Sequence, residues 1–69
     1  MRLIKCECGT LYVNPAHVVS VFIEEAYKNG KPISGFQVVA NMTFGGGNAI
    51  LFRGTLEECR AFIGATWEV

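Results

Sequence analysis

The stretch Val18–Phe44 reads VVSVFIEEAYKNGKPISGFQVVANMTF, and its centre, Asn29-Gly30, decides the fold. Both residues tolerate the positive φ of a type I′ turn, and β-branched and aromatic residues crowd either side. Val18 to Tyr27 therefore reads as one strand and Phe36 to Phe44 as its antiparallel partner. With a two-residue loop, the numbers of opposed residues sum to 59, so Ile23 faces Phe36, Val21 faces Val38 and Val19 faces Ala40. Pro32 then falls opposite Tyr27 at a non-hydrogen-bonded site, where its missing N–H breaks no rung. On the second strand Phe36, Val38, Ala40, Met42 and Phe44 share one face. Gln37, Asn41 and Thr43 share the other, with Val39 the exception.

Toward the C-terminus, Gly45-Gly46-Gly47-Asn48 turns the chain into a further strand, Ala49 to Arg53. A three-residue glycine loop pairs Met42 with Ile50 and Ala40 with Phe52, and a two-residue loop turns Leu51 inward. The first keeps one apolar face continuous and is the expected register. Thr55-Leu56-Glu57-Glu58 is a capping box, in which threonine caps the third amide and Glu58 reaches back to the cap residue. Leu56, Cys59, Phe62 and Ile63 recur at helical spacing and Gly64 is a natural stop, which predicts a helix over Leu56 to Ile63. Ala65 to Val69 alternates again, as a sixth, edge strand or as an arm docked elsewhere.

Toward the N-terminus, Leu3 to Cys8 alternates, with Ile4, Cys6 and Cys8 facing one way and Lys5 and Glu7 the other. Gly9-Thr10 punctuates it, Leu11-Tyr12-Val13 returns as a short strand, and Asn14-Pro15-Ala16-His17 supplies a capped helical or 3₁₀ turn. The expected fold is α+β: an antiparallel β-meander of five or six strands with one helix packed on one face, the whole chain 1–69 forming a single domain.

The pieces Leu11-Tyr12-Val13-Asn14, Val18-Val19, Gly46-Gly47 and Thr55-Leu56-Glu57-Glu58-Cys59 resemble, in their order, the small FlbD-like flagellar and swarming proteins of bacteria. The resemblance spans Leu11 to Ile63 and implies the strand-then-helix order. It implies no catalytic residue. The Lys28–Gly35 segment, the Cys-x-Cys start and the Trp67 tail depart from it.

Composition narrows the function classes. Six Lys+Arg balance six Glu in 69 residues, 51% of the chain is hydrophobic and 17% charged, which excludes intrinsic disorder. A neutral chain is a poor match to a nucleic-acid backbone or an anionic membrane. The longest apolar run, Val18 to Ile23, already contains Ser20 and is too short to span a bilayer. Arg2, Lys5 and Glu7 place charges where a secretory core would sit, and three cysteines are an odd number. Free thiols in a reducing, bacterial-type cytoplasm are the expectation.

Cys6, Cys8, Cys59 and His17 could together make a Cys₃His zinc site, since Cys6 and Cys8 share a strand face and Cys59 lies on the inward stripe of the helix. Core packing is the competing and preferred reading, because free cysteine behaves as a small hydrophobe. A nucleophilic cysteine would need a base and an orienting group, and His17 is the one histidine in a chain without Asp. The glycine run leads into a strand rather than a helix, so it is a turn and not a phosphate cradle. Lys28, Lys31, Arg53 and Arg60 form no stripe, so nucleic acid is not an expected partner, although Tyr12, Tyr27 and Trp67 could stack bases. No catalysis and no cofactor are expected.

What remains is surplus apolar surface. Val18, Phe22 and Val39 fall on the sheet face away from the helix, Tyr12 and Leu51 are candidates to join them, and Trp67 lies on the tail. A helix of about eight residues cannot cover both faces of such a sheet. The residues cluster on adjacent strands and make a patch. A chain this short buries only about 60% of its unfolded surface, so shielding by another polypeptide is the expected remedy. The reading is a small protein-interaction module that forms a homodimer and binds another protein as an adaptor or inhibitor, of bacterial accessory or phage origin. A zinc-stabilised module and a nucleic-acid-binding domain are the alternatives.

Overall fold

The computed structural model describes residues 3–42 and 47–67. Within them the chain runs β1 (Ile4–Lys5), β2 (Tyr12–Val13), a 3₁₀ turn (Pro15–His17), β3 (Val18–Lys28), β4 (Lys31–Met42), β5 (Asn48–Gly54) and α1 (Leu56–Trp67). The architecture is α+β and antiparallel. The strands divide into a two-stranded sheet, β1-β2, and a three-stranded sheet in the order β3-β4-β5, so neither reaches the five or six strands expected.

The division begins at Cys6. Its N–H donates to the Leu11 carbonyl at 2.8 Å and its carbonyl accepts from Gly9 N–H at 2.9 Å, closing a turn through Gly9 at φ +85°. That turn ends the strand at Lys5, three residues earlier than the alternation through Cys8 predicts. Glu7 N–H donates to the Ile50 carbonyl at 2.9 Å and ties the small sheet to β5. After β2 the expected cap forms: Asn14 Oδ1 accepts from Ala16 N–H at 2.9 Å, with Pro15 opening the 3₁₀ turn.

The β3–β4 hairpin turns at Asn29-Gly30, with φ +53° and +78°. Lys28 pairs with Lys31 and Tyr27 with Pro32, as predicted. Beyond that rung the register moves by two residues: Glu25 pairs with Phe36, Ile23 with Val38 and Val21 with Ala40. One residue of β3 and three of β4 lie between the flanking rungs, and Gly35 at φ +100° provides the backbone conformation that absorbs the excess. A shift of two preserves every side chain's face, so the inward set survives while its partners change.

In the β4–β5 hairpin, Asn41 pairs with Asn48, Ala40 with Ala49 and Val39 with Ile50, then Val38 with Phe52, which leaves Leu51 as a bulge. The expected pairs Met42–Ile50 and Ala40–Phe52 do not form. The bulge lets Leu51 and Phe52 both turn toward the core, where Leu51 is 3% exposed, so the burial of one more large side chain outweighs an unbroken ladder. The glycine loop itself, at Gly45 and Gly46, and the strand end at Thr43 and Phe44 lie outside the described residues.

The helix opens as its capping box predicts. Thr55 Oγ1 accepts from Glu58 N–H at 3.1 Å, and Thr55 N–H donates to Glu58 Oε1 at 2.9 Å. It does not stop at Gly64. It continues through Ala65 and Thr66 to Trp67, so the tail is neither an edge strand nor an arm over these residues. Trp67 Nε1 donates to the Pro15 carbonyl at 3.2 Å and its ring packs on the core, contacts that outweigh the helix cost of one glycine, about 1 kcal/mol.

The core joins three layers. Val13 from the small sheet and Cys6 from the turn after β1, Val38, Ala40, Ala49 and Leu51 from the large sheet, and Cys59 from α1 form one buried cluster. Phe52 and Phe62 stack at its edge, 5.0 Å between centroids and 12° between planes. Gly54 sits where the helix begins. A Cβ there would meet Glu58 Oε1 at 2.6 Å and Phe52 Cε2 at 2.9 Å, so any larger residue makes the cap and the stack shift.

Candidate interaction surface

The face of the large sheet opposite α1 is built in rows, because directly opposed residues of antiparallel strands point the same way. The middle row is Phe22, Val39 and Ile50. Below it lie Glu24, Gln37 and Arg53, and above it Ser20, Asn41 and Asn48. An apolar row thus runs between two polar ones.

The lower row is tightly bonded. Gln37 Nε2 donates to Glu24 Oε2 at 2.7 Å, Arg53 Nε donates to Gln37 Oε1 at 3.2 Å, and Arg53 Nη2 donates to the Tyr27 carbonyl at 3.1 Å. Gln37 is fully buried, and these bonds satisfy its amide. In the upper row Asn41 Nδ2 donates to Ser20 Oγ at 2.9 Å. Held between the two rows and flanked by Phe22 and Ile50, Val39 is only 4% exposed.

This arrangement corrects much of the expected patch. Val39 and Leu51 are buried within the chain, one under its row neighbours and the other in the core, and neither offers surface. Val18 packs against the core, because the irregularity between Val18 and Ser20 breaks the strict alternation of β3. Trp67 is half-buried at the end of α1. Of the six residues expected there, Phe22 keeps substantial exposure, at 40%, as does Tyr12 on the small sheet, at 54%. Elsewhere in the hairpin, Val19 and Tyr27 on β3 and Ile33 on β4 are exposed apolar residues as well. Val19 and Tyr27 carry no outward-facing signal in the sequence. Both lie at the register irregularities of β3, Val19 between the Val18 and Ser20 rungs and Tyr27 just beyond the Glu25 rung.

Elsewhere, an open groove of about 590 Å³ is lined by Leu3, Ile4, Pro15, Ala16, Phe62 and Trp67, among others. Leu3, Leu11 and Tyr12 are also exposed.

The cysteines do not converge as a metal site needs. Cys6 and Cys59 lie in the core, Cys8 is exposed in the turn with its Sγ 3.5 Å from Thr10 Oγ1, and His17 is in the 3₁₀ turn. Among the described residues no group of three or more His, Cys, Asp or Glu side chains is placed to hold a metal ion. Burial pushes the Cys6 thiol pKa up, with the nearby Cys8 adding to it. Burial likewise raises that of Cys59, against a hydrogen bond with the Gly54 backbone. The hydrogen bond with Thr10 lowers that of Cys8. The two inward cysteines therefore pack as neutral thiols, and the outward one is the more acidic. Among the described residues no helix is long and apolar enough to cross a membrane.

Compared with protein-family models, with curated proteins and with solved structures, the chain matches none.

Proposed function

We propose that this chain is a small, non-catalytic protein-interaction module that associates with itself as a homodimer and acts on another protein as an adaptor or inhibitor. The setting we propose is a bacterial cytoplasm, with the chain encoded as a bacterial accessory or phage protein. The observation that carries the reading is the apolar exposure of β3: Val19 is 69%, Phe22 40% and Tyr27 46% exposed on one strand. Large apolar side chains grouped on one element mark association surfaces more often than isolated ones do. Burying them against a second polypeptide removes from water apolar area that the described layers leave exposed.

Sedimentation velocity over a concentration series tests the first half. A mass of two chains at tens of micromolar supports it, and a strictly monomeric particle at that concentration removes it. The second half is tested by affinity purification from native cells followed by gel filtration. A partner that stays in fixed stoichiometry supports the adaptor or inhibitor role, and recovery of the chain with itself alone removes it.

A further inference from the structure

Resting on that reading, we infer that the self-association surface is the free edge of β3, and that two copies pair β3 to β3 antiparallel about a two-fold axis through Phe22. The result is one continuous six-stranded sheet.

The edge itself is the first argument. In the order β3-β4-β5, β3 has one neighbour, and among the described residues no strand pairs with its other side. At the far edge of the sheet, by contrast, Glu7 N–H donates to the Ile50 carbonyl of β5. An open edge presents unpaired N–H and C=O groups along its length, and proteins usually blunt it with proline, lysine or a central bulge. β3 has no proline, its one lysine is at the turn end, and its irregularities lie at Val18/Ser20 and Glu25/Tyr27. Between them Ser20–Glu25 pairs regularly with β4, which leaves a regular segment open to a second strand.

Side-chain complementarity selects the occupant and the register. With the axis at Phe22, the numbers of opposed residues sum to 44, so Phe22 meets its own twin, Val21 meets Ile23 and Ser20 meets Glu24. Each row of the outer face then continues into the second copy. The row Ile50-Val39-Phe22 runs on into the same three residues in reverse, and the two half-exposed phenyl rings cover each other. The Ser20 row of one copy continues into the Glu24 row of the other. Ser20 Oγ already accepts from Asn41, which leaves its hydroxyl hydrogen to donate. Glu24 takes the Gln37 amide on Oε2, which leaves Oε1 to accept. Donor and acceptor match twice across the axis.

Moving the axis to Ile23 sets Phe22 against the Glu24 carboxylate, and moving it to Glu24 opposes two like charges. Over Ser20–Glu24 an axis at Phe22 matches both faces: on the core side, half-buried Val21 and Ile23 extend the apolar layer across the join, and the opposition of Val19 to Glu25 falls outside that stretch, at the irregularity next to Val18. A two-fold pairing uses the β3 edge of both copies, so through that edge it closes at two.

The experiment uses the full chain. Analytical ultracentrifugation gives the dimer constant, and isotope-filtered NMR on mixed labelled and unlabelled protein reads contacts between copies. The expected result is a dimer with intermolecular Phe22–Phe22 and Ser20–Glu24 contacts. Phe22→Glu should weaken it by about tenfold or more with an unchanged circular dichroism spectrum. Should Phe22→Glu lose its fold, Ser20→Asp decides. Its carboxylate still accepts from Asn41 but opposes Glu24 of the other copy, so dimerisation falls severalfold at low salt and recovers at high salt. A dimer whose intermolecular contacts lie elsewhere, or whose constant neither variant moves, overturns the β3 pairing and leaves self-association standing. A wild-type monomer at tens of micromolar overturns both.

Discussion

Gly54 shows how much one position can decide. Its missing side chain is what lets Glu58 reach back to Thr55 while Phe52 lies flat on Phe62. Gly54→Ala should therefore push the Glu58 carboxylate off the cap and shift Phe52, at about 1–3 kcal/mol, read as a lower urea midpoint with an unchanged slope. The three thiols separate in the same local way. Cys8 is exposed with its pKa lowered, and Cys6 and Cys59 are buried with theirs raised, so iodoacetamide should modify Cys8 first in the native protein. Mass spectrometry of a time course checks the order. The raised values also set a pH dependence. Above about pH 8.5 an unfolded chain releases thiol protons that the folded chain retains at Cys6 and Cys59. The folded state then holds more protons, and stability falls as pH climbs from there. The fall should be shallower in Cys59→Ala, measured by urea denaturation at a series of alkaline pH values.

Among the elements, α1 and the β3–β4 turn were the most legible, because each is encoded by neighbours in the chain. Thr55 and Glu58 are three residues apart, and both predicted bonds form. Thr55→Ala should cost about 1 kcal/mol, seen as a lower thermal midpoint with little change in native helix signal. Asn29-Gly30 likewise makes its turn where the dipeptide predicts. Legibility failed wherever a distant contact outweighed a local preference. Gly64 reads as a stop, but the bond from Trp67 to the Pro15 carbonyl joins residues far apart in sequence and draws the helix onward. The alternation through Cys8 reads as a strand, but the turn bonded through Cys6 ends it at Lys5. Gly35 and Leu51 change both hairpin registers, since an irregularity of one or two residues leaves the apolar pattern almost unaltered.

For the molecule as a whole, the strand directions and the helix-bearing face follow from hydrophobic period, and the division into two sheets does not. The small sheet and α1 together cover one face of β3-β4-β5, while the other face is sealed at its centre by its own long side chains. That second feature was illegible because Val39 looks like an outward residue until Phe22 and Ile50 are set beside it. The surface expected from sequence contracts to Phe22, with Tyr12 exposed apart from it on the small sheet, and gains Val19 and Tyr27 on β3. A contrast between the two faces follows. Phe36 packs against the core and Phe22 lies 40% exposed, so Phe36→Glu should abolish the folded state and Phe22→Glu should leave it intact. Amide proton dispersion in a simple NMR spectrum distinguishes them.

The chain's one tryptophan sits on the final turn of α1, one turn beyond the glycine that weakens the helix, and is held there by its indole N–H. Its emission therefore reports the seating of that turn rather than melting of the entire domain. On gentle warming, the fluorescence maximum should drift to longer wavelength before ellipticity is lost, an intrinsic optical gauge of how the helix end lets go.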